Sequence, residues 1–276
     1  MYDDSFKIRY KCAPIAVSEN KSGFDTTAHI HAEIEILYIV SGSWRVSVSD
    51  KHYVAESGDI IIVNPFEVHA LKRLSDNPSS TLCICAAPSL LADKELSAEL
   101  TSGDKTAVRH IKYAEAFSRE IVDCFKKTYS AVENNSPALR LESSAYLSLI
   151  FSRLVISGLI ESRVMRGKKE SFSSKVQDYL SKHYMENITS ENIAEELFYT
   201  QSYFCRLFKK QFGISFLEYL SMYRVSLAKA MLENPSLKVS AVAEAVGFLD
   251  SAYFSRCFKR LVGVCPSEYK KYQYSY

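Results

Sequence analysis

No apolar run in the 276 residues approaches the ~18 that a membrane-crossing helix requires; the best stretch, Leu147 to Ile160, is broken by Ser152 and Arg153. The N-terminus, Met1-Tyr-Asp-Asp-Ser-Phe-Lys, opens acidic and lacks the apolar centre of a secretory signal, so no leader peptide is expected. There is no Cys-x-x-Cys pair: the seven cysteines, at 12, 83, 85, 124, 205, 257 and 265, are odd in number and scattered. That usage suits reduced thiols in a cytoplasm and argues against a disulfide framework. With only nine glycines, a collagen-like repeat is excluded as well. A cytoplasmic protein with no membrane partner is expected.

What is present suffices to build cores. Apolar residues make up 47%, charged residues 24% and aromatics 12%, which fits a folded globular chain of about two domains. The net charge of +2 hides an asymmetry: residues 168–276 hold 15 Lys+Arg against 11 Asp+Glu, and residues 1–167 hold 19 against 21. The mildly basic C-terminal part hints at a polyanionic partner.

Residues 24–86 read as short strands separated by turns. Trp44, Val46 and Val48 alternate with Arg45, Ser47 and Ser49, the period of two that marks a half-buried strand. Ile34 to Val40 is apolar and β-branched and ends at Ser41-Gly42, a hairpin signal. Tyr53 to Ala55, Ile60 to Val63 and Leu82 to Ala87 follow, punctuated by Gly58, Pro65 and Pro88. Strands at this spacing predict a barrel or a double-sheet roll.

On that roll, His29, His31 and Glu35 share parity along one extended segment and are expected to point to one face, with His69, which follows a later strand, turned toward them. Gly23-x5-His29-x-His31-x3-Glu35-x6-Gly42 resembles the first cupin motif. Gly58-x6-Pro65-x3-His69 resembles the second loosely, with Glu67 in place of its internal glycine and Lys72 at its usual asparagine. Three imidazoles and a carboxylate suit a divalent transition metal, a polar pocket for a small organic molecule, or ordinary hydrogen-bonded barrel residues. The organic pocket is the preferred reading. His29, His31, Glu35 and His69 are its effector-binding residues, with no metal, cofactor or catalytic residue assigned.

From about Lys105 to Glu161 the period turns helical. Ile111, Ala114, Phe117, Ile121, Phe125 and Thr128 predict one amphipathic helix. Asn134-Asn135-Ser136-Pro137 breaks it, and Pro137 is well placed to open the next, whose stripe is Leu139, Tyr146, Leu147, Ile150, Phe151, Leu154 and Val155. Most of these are expected in the core and a few at a subunit seam. Residues 163–171 are poor in apolar side chains and read as a linker.

Residues 188–269 contain a near-repeat. Ile193-Ala-Glu-Glu-Leu197 matches Val242-Ala-Glu-Ala-Val246, and Tyr203-Phe-Cys-Arg-Leu-Phe-Lys-Lys-Gln-Phe-Gly213 matches Tyr253-Phe-Ser-Arg-Cys-Phe-Lys-Arg-Leu-Val-Gly263. The offset slips by one residue between the two blocks, so the second copy has one more residue in its turn. Each copy predicts a short helix, a turn and a longer helix. Phe204, Leu207, Phe208 and Gln211 fall on one side of the longer helix, and Gln201, Ser202, Cys205, Arg206 and Lys209 on the other. In the second copy Phe254, Cys257, Phe258 and Leu261 turn inward, and Ser251, Ala252, Ser255, Arg256 and Lys259 outward. A small, polar, basic outer face on the second helix of such a pair is what a major groove accepts. Arg206 and Arg256 can reach guanine edges bidentately, while Lys209, Lys210, Lys259 and Arg260 suit phosphates.

These motifs resemble the AraC/XylS family of transcription regulators over about 172–274. The likeness is most specific at Val246-Gly-Phe-Leu-Asp-Ser-Ala-Tyr-Phe-Ser-Arg-Cys-Phe-Lys-Arg and Gly263-Val-Cys-Pro-Ser-Glu-Tyr269, with Arg224, Ala228, Met231 and Leu232 matching the linking helix. Phe216 departs from it, standing where Pro266 stands in the second copy. The resemblance implies an α+β chain of two domains. A cupin-like barrel with helices comes first, then an all-α domain of two helix-turn-helix units joined by a linking helix. The expected bounds are a sensing barrel at 1–103, a coupling and dimerisation segment at 104–162, a linker at 163–171 and a DNA-binding domain at 172–276, its units near 190–213 and 239–263. The implied function is sequence-specific transcription regulation, as an activator working on RNA polymerase, by a homodimer whose effector is a small molecule such as a sugar. The alternatives are a metal-dependent cupin enzyme fused to a DNA-binding tail and an effector-independent activator.

Overall fold

The computed structural model describes residues 15–21, 23–74, 78–115, 117–134, 136, 138–162 and 171–272. The chain divides into two compact units, Met1–Thr27 with Glu33–Glu170, and Ala28–Ala32 with Ser171–Tyr276. The linker expected at 163–171 lies, but for Ser171, outside the described residues, as does Pro137.

Two facing sheets make the first unit. Its strands are β1 (Ile15–Asn20), β2 (Ile34–Ser41), β3 (Ser43–Val48), β4 (Lys51–Glu56), β5 (Ile60–Val63), β6 (His69–Arg73), β7 (Ser80–Ala86), β8 (Lys105–Ala107), β9 (His110–Ile111) and β10 (Ile160–Ser162). Five pair antiparallel in the order β1-β7-β2-β5-β9 and three in the order β4-β3-β6, while β8 pairs with β10. The alternation of side chains then sorts the residues. Leu37, Ile39, Ile61, Val63 and Cys83 of the large sheet meet Trp44, Val46, Val48 and Leu71 of the small one. Ile34, Ile36, Ile60, Ile62, Ile84 and Ala86 turn the other way, onto helices.

Those helices are α1 (Lys94–Ser102), α2 (Ser118–Glu133) and α3 (Leu139–Ile156). Ile121, Val122 and Phe125 of α2 and Leu147, Ile150, Phe151 and Leu154 of α3 bury against the sheet. Residues 104–162 therefore share one core with the strands before them. The helix expected from Ile111 begins only at Ser118, because Ile111 and His110 pair with Ile60 and Ile61 as an edge strand. Sheet pairing overrides the helical spacing there. Val155, expected on the apolar stripe, is exposed, as are Leu141, Leu149 and Ile156.

The second unit comprises α4 (Phe172–His183), α5 (Ser190–Glu196), α6 (Gln201–Phe212), α7 (Phe216–Leu232), α8 (Val239–Ala245), α9 (Ser251–Val262) and α10 (Pro266–Tyr272). Helices α5–α6 and α8–α9 are the two repeats, and α7 joins them. Phe172, Phe204, Phe208, Phe212, Phe216 and Tyr219 stack into the first repeat's core, with Phe216 edge-on to Phe204 and Phe208 at 5.6 and 5.7 Å. That packing accounts for an aromatic ring where the second copy carries Pro266. Val225, Ala228 and Leu232 of α7 pack with Val242, Val246, Phe254 and Phe258 in the second core.

Candidate functional site

Each repeat sets its longer helix by the same local chemistry. Thr200 caps α6, accepting from the Tyr203 N–H, and Asp250 caps α9, accepting from the Ala252 N–H at 2.7 Å. Both helices end at a left-handed glycine, Gly213 and Gly263. The turn before each helix also needs a positive φ, supplied by Phe198 (φ 60°) in the first repeat and Gly247 (φ 87°) in the second. At Gly247 a Cβ would sit 2.5 Å from the Tyr184 carbonyl oxygen, so glycine is required there. Arg224 of α7 grips the same region, donating from Nε to the Tyr184 carbonyl at 2.8 Å and from Nη2 to the Glu186 carbonyl at 2.6 Å. Its partial burial holds the guanidinium below its ordinary pKa.

The outward faces agree with the sequence reading. Gln201, Ser202, Cys205, Arg206, Lys209 and Lys210 are exposed on α6, and Ser251, Ala252, Arg256, Lys259 and Arg260 on α9. Ser255 is half-buried, its hydroxyl donating to the Ser251 carbonyl at 2.9 Å. The Arg256 guanidinium lies over the Tyr253 ring at 5.9 Å, which limits where it can reach. Tyr203 and Tyr253, exposed at matching positions, were not assigned from the sequence; the repeat itself was the signal for them.

The four residues expected at an effector pocket do not share one strand. Strand β2 begins at Ile34, so Glu35 lies on it and His29 and His31 precede it, while His69 opens β6 rather than following a strand. The single extended segment expected from 29 to 35 is thus broken by a bend at 32–33. Glu35 and His69 belong to the first unit, whereas His29 and His31 fall in the 28–32 segment that goes with the second. The His29 and His31 rings are tilted at 51° with centroids 5.8 Å apart. Glu35 and His69 are buried, with Glu35 Oε2 3.5 Å from His69 Nε2. Burial alone would lower the imidazole pKa of His69; the Glu35 charge and hydrogen bond outweigh it and hold it above its ordinary value.

Glu67, the departure from the second cupin motif, is also buried, and its work is structural. It pairs with the Arg109 guanidinium and accepts from the backbone N–H and side-chain amide of Asn64 at 3.0 and 3.1 Å. Asn64 in turn donates to the Ala107 carbonyl and accepts the Ala107 N–H, tying β5 to β8. Two further donors were not read as part of a site: Cys83 and Cys85 group with Glu35, one donor atom from each within 4.8 Å of the others. Their common parity was visible, but the strand register that brings them beside Glu35 was not.

Comparison with known proteins fits both parts. Residues 12–151 match the AraC-like ligand binding domain and residues 193–272 a helix-turn-helix domain. The HTH-type transcriptional regulator YdeC of Bacillus subtilis is 23% identical over 265 residues, covering 94% of this chain and 91% of its own. YijO of Escherichia coli, another HTH-type transcriptional regulator, is 33% identical over 132 residues, covering 45% of this chain and 47% of its own. A crystal structure of ToxT from Vibrio cholerae with bound unsaturated fatty acid aligns over 93% of this chain and 94% of its own, at 16% identity and a TM-score of 0.46. The ligand-binding match spans half of the chain and the helix-turn-helix match takes in both copies of the repeat, so the chain belongs to the AraC family of helix-turn-helix transcription regulators.

Proposed function

We propose that this regulator reads its operator with α6 and α9 and is controlled from the interior of its N-terminal roll. Arg206 and Arg256 contact bases, with Gln201, Ser202, Cys205, Ser251, Ala252 and Ser255 lining the groove. Lys209, Lys210, Lys259 and Arg260 hold phosphates. His29, His31, Glu35 and His69 form the effector site, and the observation that carries this is the buried pair of Glu35 and His69, 3.5 Å apart between the two sheets. A polar ligand matches those donors, and a hydroxyl-rich molecule such as a sugar is the organic candidate. Residues 172–276 carry DNA binding, after a linker at 163–171, and the protein works in the cytoplasm without catalytic turnover, as an activator acting on RNA polymerase.

Leu141, Leu149, Val155 and Ile156, exposed along α3, support a homodimer seam on that helix. Sedimentation of a Leu149→Glu variant tests it: an unchanged dimer rules that seam out.

The experiment for the whole reading is a thermal-shift screen of the full chain against sugars, sugar acids, bile salts, fatty acids and metal salts, run beside a His31→Gln/Glu35→Gln variant. A ligand at a hundred times its dissociation constant stabilises by about 2.7 kcal/mol. The expected hit raises the wild-type melting temperature, alters operator binding, and does neither in the variant. A variant with a normal response overturns the effector site.

A further inference from the structure

Cys83 and Cys85 flank Ile84 on β7, so both thiols project between the two sheets while Ile84 faces the helices. Strand β7 is hydrogen-bonded along both edges, to β1 and β2, and its register sets Cys85 directly opposite Glu35. The two sulfurs are 3.7 Å apart, Cys85 Sγ is 3.3 Å from Glu35 Oε2, and the same oxygen is 3.5 Å from His69 Nε2. Tetrahedral coordination with bonds of about 2.3 Å to sulfur and about 2.0–2.1 Å to nitrogen or oxygen places neighbouring donors about 3.3–3.8 Å apart. These three separations fall in that interval, and Cys83, Cys85 and Glu35 gather within 4.8 Å of one another, with His69 reaching the group through Glu35.

His69 adds a second, independent observation. Its Nδ1 lies 2.9 Å from the Glu67 carbonyl oxygen, a contact in which the ring nitrogen must be the donor. In the neutral ring that fixes Nε2 as the lone-pair nitrogen and turns it toward Glu35, the orientation that a backbone carbonyl imposes on a metal-binding imidazole. A core between two sheets is filled most simply by apolar side chains; two thiols and a carboxylate on neighbouring strands of one sheet, with an imidazole from the other, are a donor set.

We propose that Cys83, Cys85, Glu35 and His69 form a binding site for one thiophilic transition-metal ion of the Zn2+ class. Binding exchanges the two thiol protons for the metal and involves no change of oxidation state. Two sulfurs and an imidazole disfavour Mg2+ and Ca2+, which take oxygen donors. The proposal rests on reading the roll interior as the effector site, and it gives that effector's class as a metal ion in place of an organic molecule.

The test uses the full chain, reduced and stripped with chelator, titrated with Co2+ as an optical probe and Zn2+ as competitor. One Co2+ per chain is expected, with a near-ultraviolet thiolate-to-cobalt charge-transfer band that Zn2+ displaces. In Cys83→Ser/Cys85→Ser the band disappears and Zn2+ affinity falls by more than about 100-fold, beyond the roughly 10–100-fold that outer-shell partners contribute. Because substitutions between the sheets can unfold the roll, the unsubstituted chain supplies a second readout. Saturating Zn2+ should slow alkylation of Cys83 and Cys85, followed by mass spectrometry, and leave exposed Cys205 unaffected. Co2+ bound without the thiolate band, or alkylation that ignores Zn2+, overturns the site. Operator affinity with and without Zn2+ separates the two readings: no change while the band is present overturns the metal as effector and supports the site.

Discussion

Glu35 on β2 and His69 on β6 meet across the space between the two sheets, 3.5 Å apart, with side chains 8% and 0% exposed. A carboxylate so placed needs its partner, because an unpaired charge in an apolar core is far costlier than a missing pair. In metal-free protein, His69→Ala is expected to destabilise by about 3–5 kcal/mol. Replacing both residues with leucine should cost less than either single replacement. Urea unfolding of the three variants checks this, and a strictly additive double variant would contradict the pairing.

Asp59 gives the first unit an acid limb. Burial alone would push its carboxyl up, but hydrogen bonds from His110 at 2.8 Å and from the backbone N–H groups of Tyr113 and Glu56 outweigh it and hold the carboxyl below its ordinary value. A carboxylate depressed on folding contributes stability that is full above its unfolded pKa and is lost as pH falls through the folded one. Melting temperature should therefore drop on acidification below the ordinary carboxylate range. Asp59→Asn, costing about 1–3 kcal/mol at neutral pH, should drop less steeply. Parallel acid limbs for the two proteins would contradict the assignment.

The two turn residues should answer oppositely to substitution. Gly247→Ala forces a Cβ against the Tyr184 carbonyl at positive φ and is expected to cost about 1–3 kcal/mol. Phe198 holds a positive φ while 94% exposed, so Phe198→Gly gives up little packing and relieves strain. It should be neutral or stabilise by up to about 1 kcal/mol. Calorimetry on the two variants decides between this and a simple loss of aromatic contact.

At the DNA face, Arg206→Ala and Arg256→Ala should each cost about 1–3 kcal/mol of specific binding and relax preference at their own base pairs. Lys209→Ala or Lys259→Ala should weaken all sequences alike and lower the log–log salt slope by about 0.9. Competition binding across a salt series distinguishes the two classes. An arginine variant with unchanged base preference loses its assignment.

Legibility in the sequence followed the length of each periodic signal. The repeats were readable because twelve-residue helices repeat their inner aromatics and outer bases twice, and the structure keeps Phe204, Phe208, Phe254 and Phe258 buried and Arg206 and Arg256 exposed. Strands β2, β3 and β5 announced themselves by alternation or by a β-branched run. Strand β9, two residues long, could not, and its Ile111 fell by chance into helical spacing with Phe117 and Ile121. Helix α1 was missed although Asp93 and Gly103 cap it, because nine residues carry too few apolar positions to register. The Cys83–Cys85–Glu35 group depends on the pairing of β7 with β2, a contact between residues 50 apart that no local pattern encodes.

The most direct test of the whole assignment is operator affinity of the full chain when half a helical turn, about 5 bp, is inserted between the two half-elements, which should lie about 10 bp apart. If α6 and α9, joined by α7, read one side of the duplex, the insertion rotates one half-element away from its helix. The expected result, at fixed salt, is a fall to the affinity of unrelated DNA, with recovery when about 10 bp is inserted only if α7 yields. Operator affinity unchanged by the 5-bp insertion would contradict a two-headed reader.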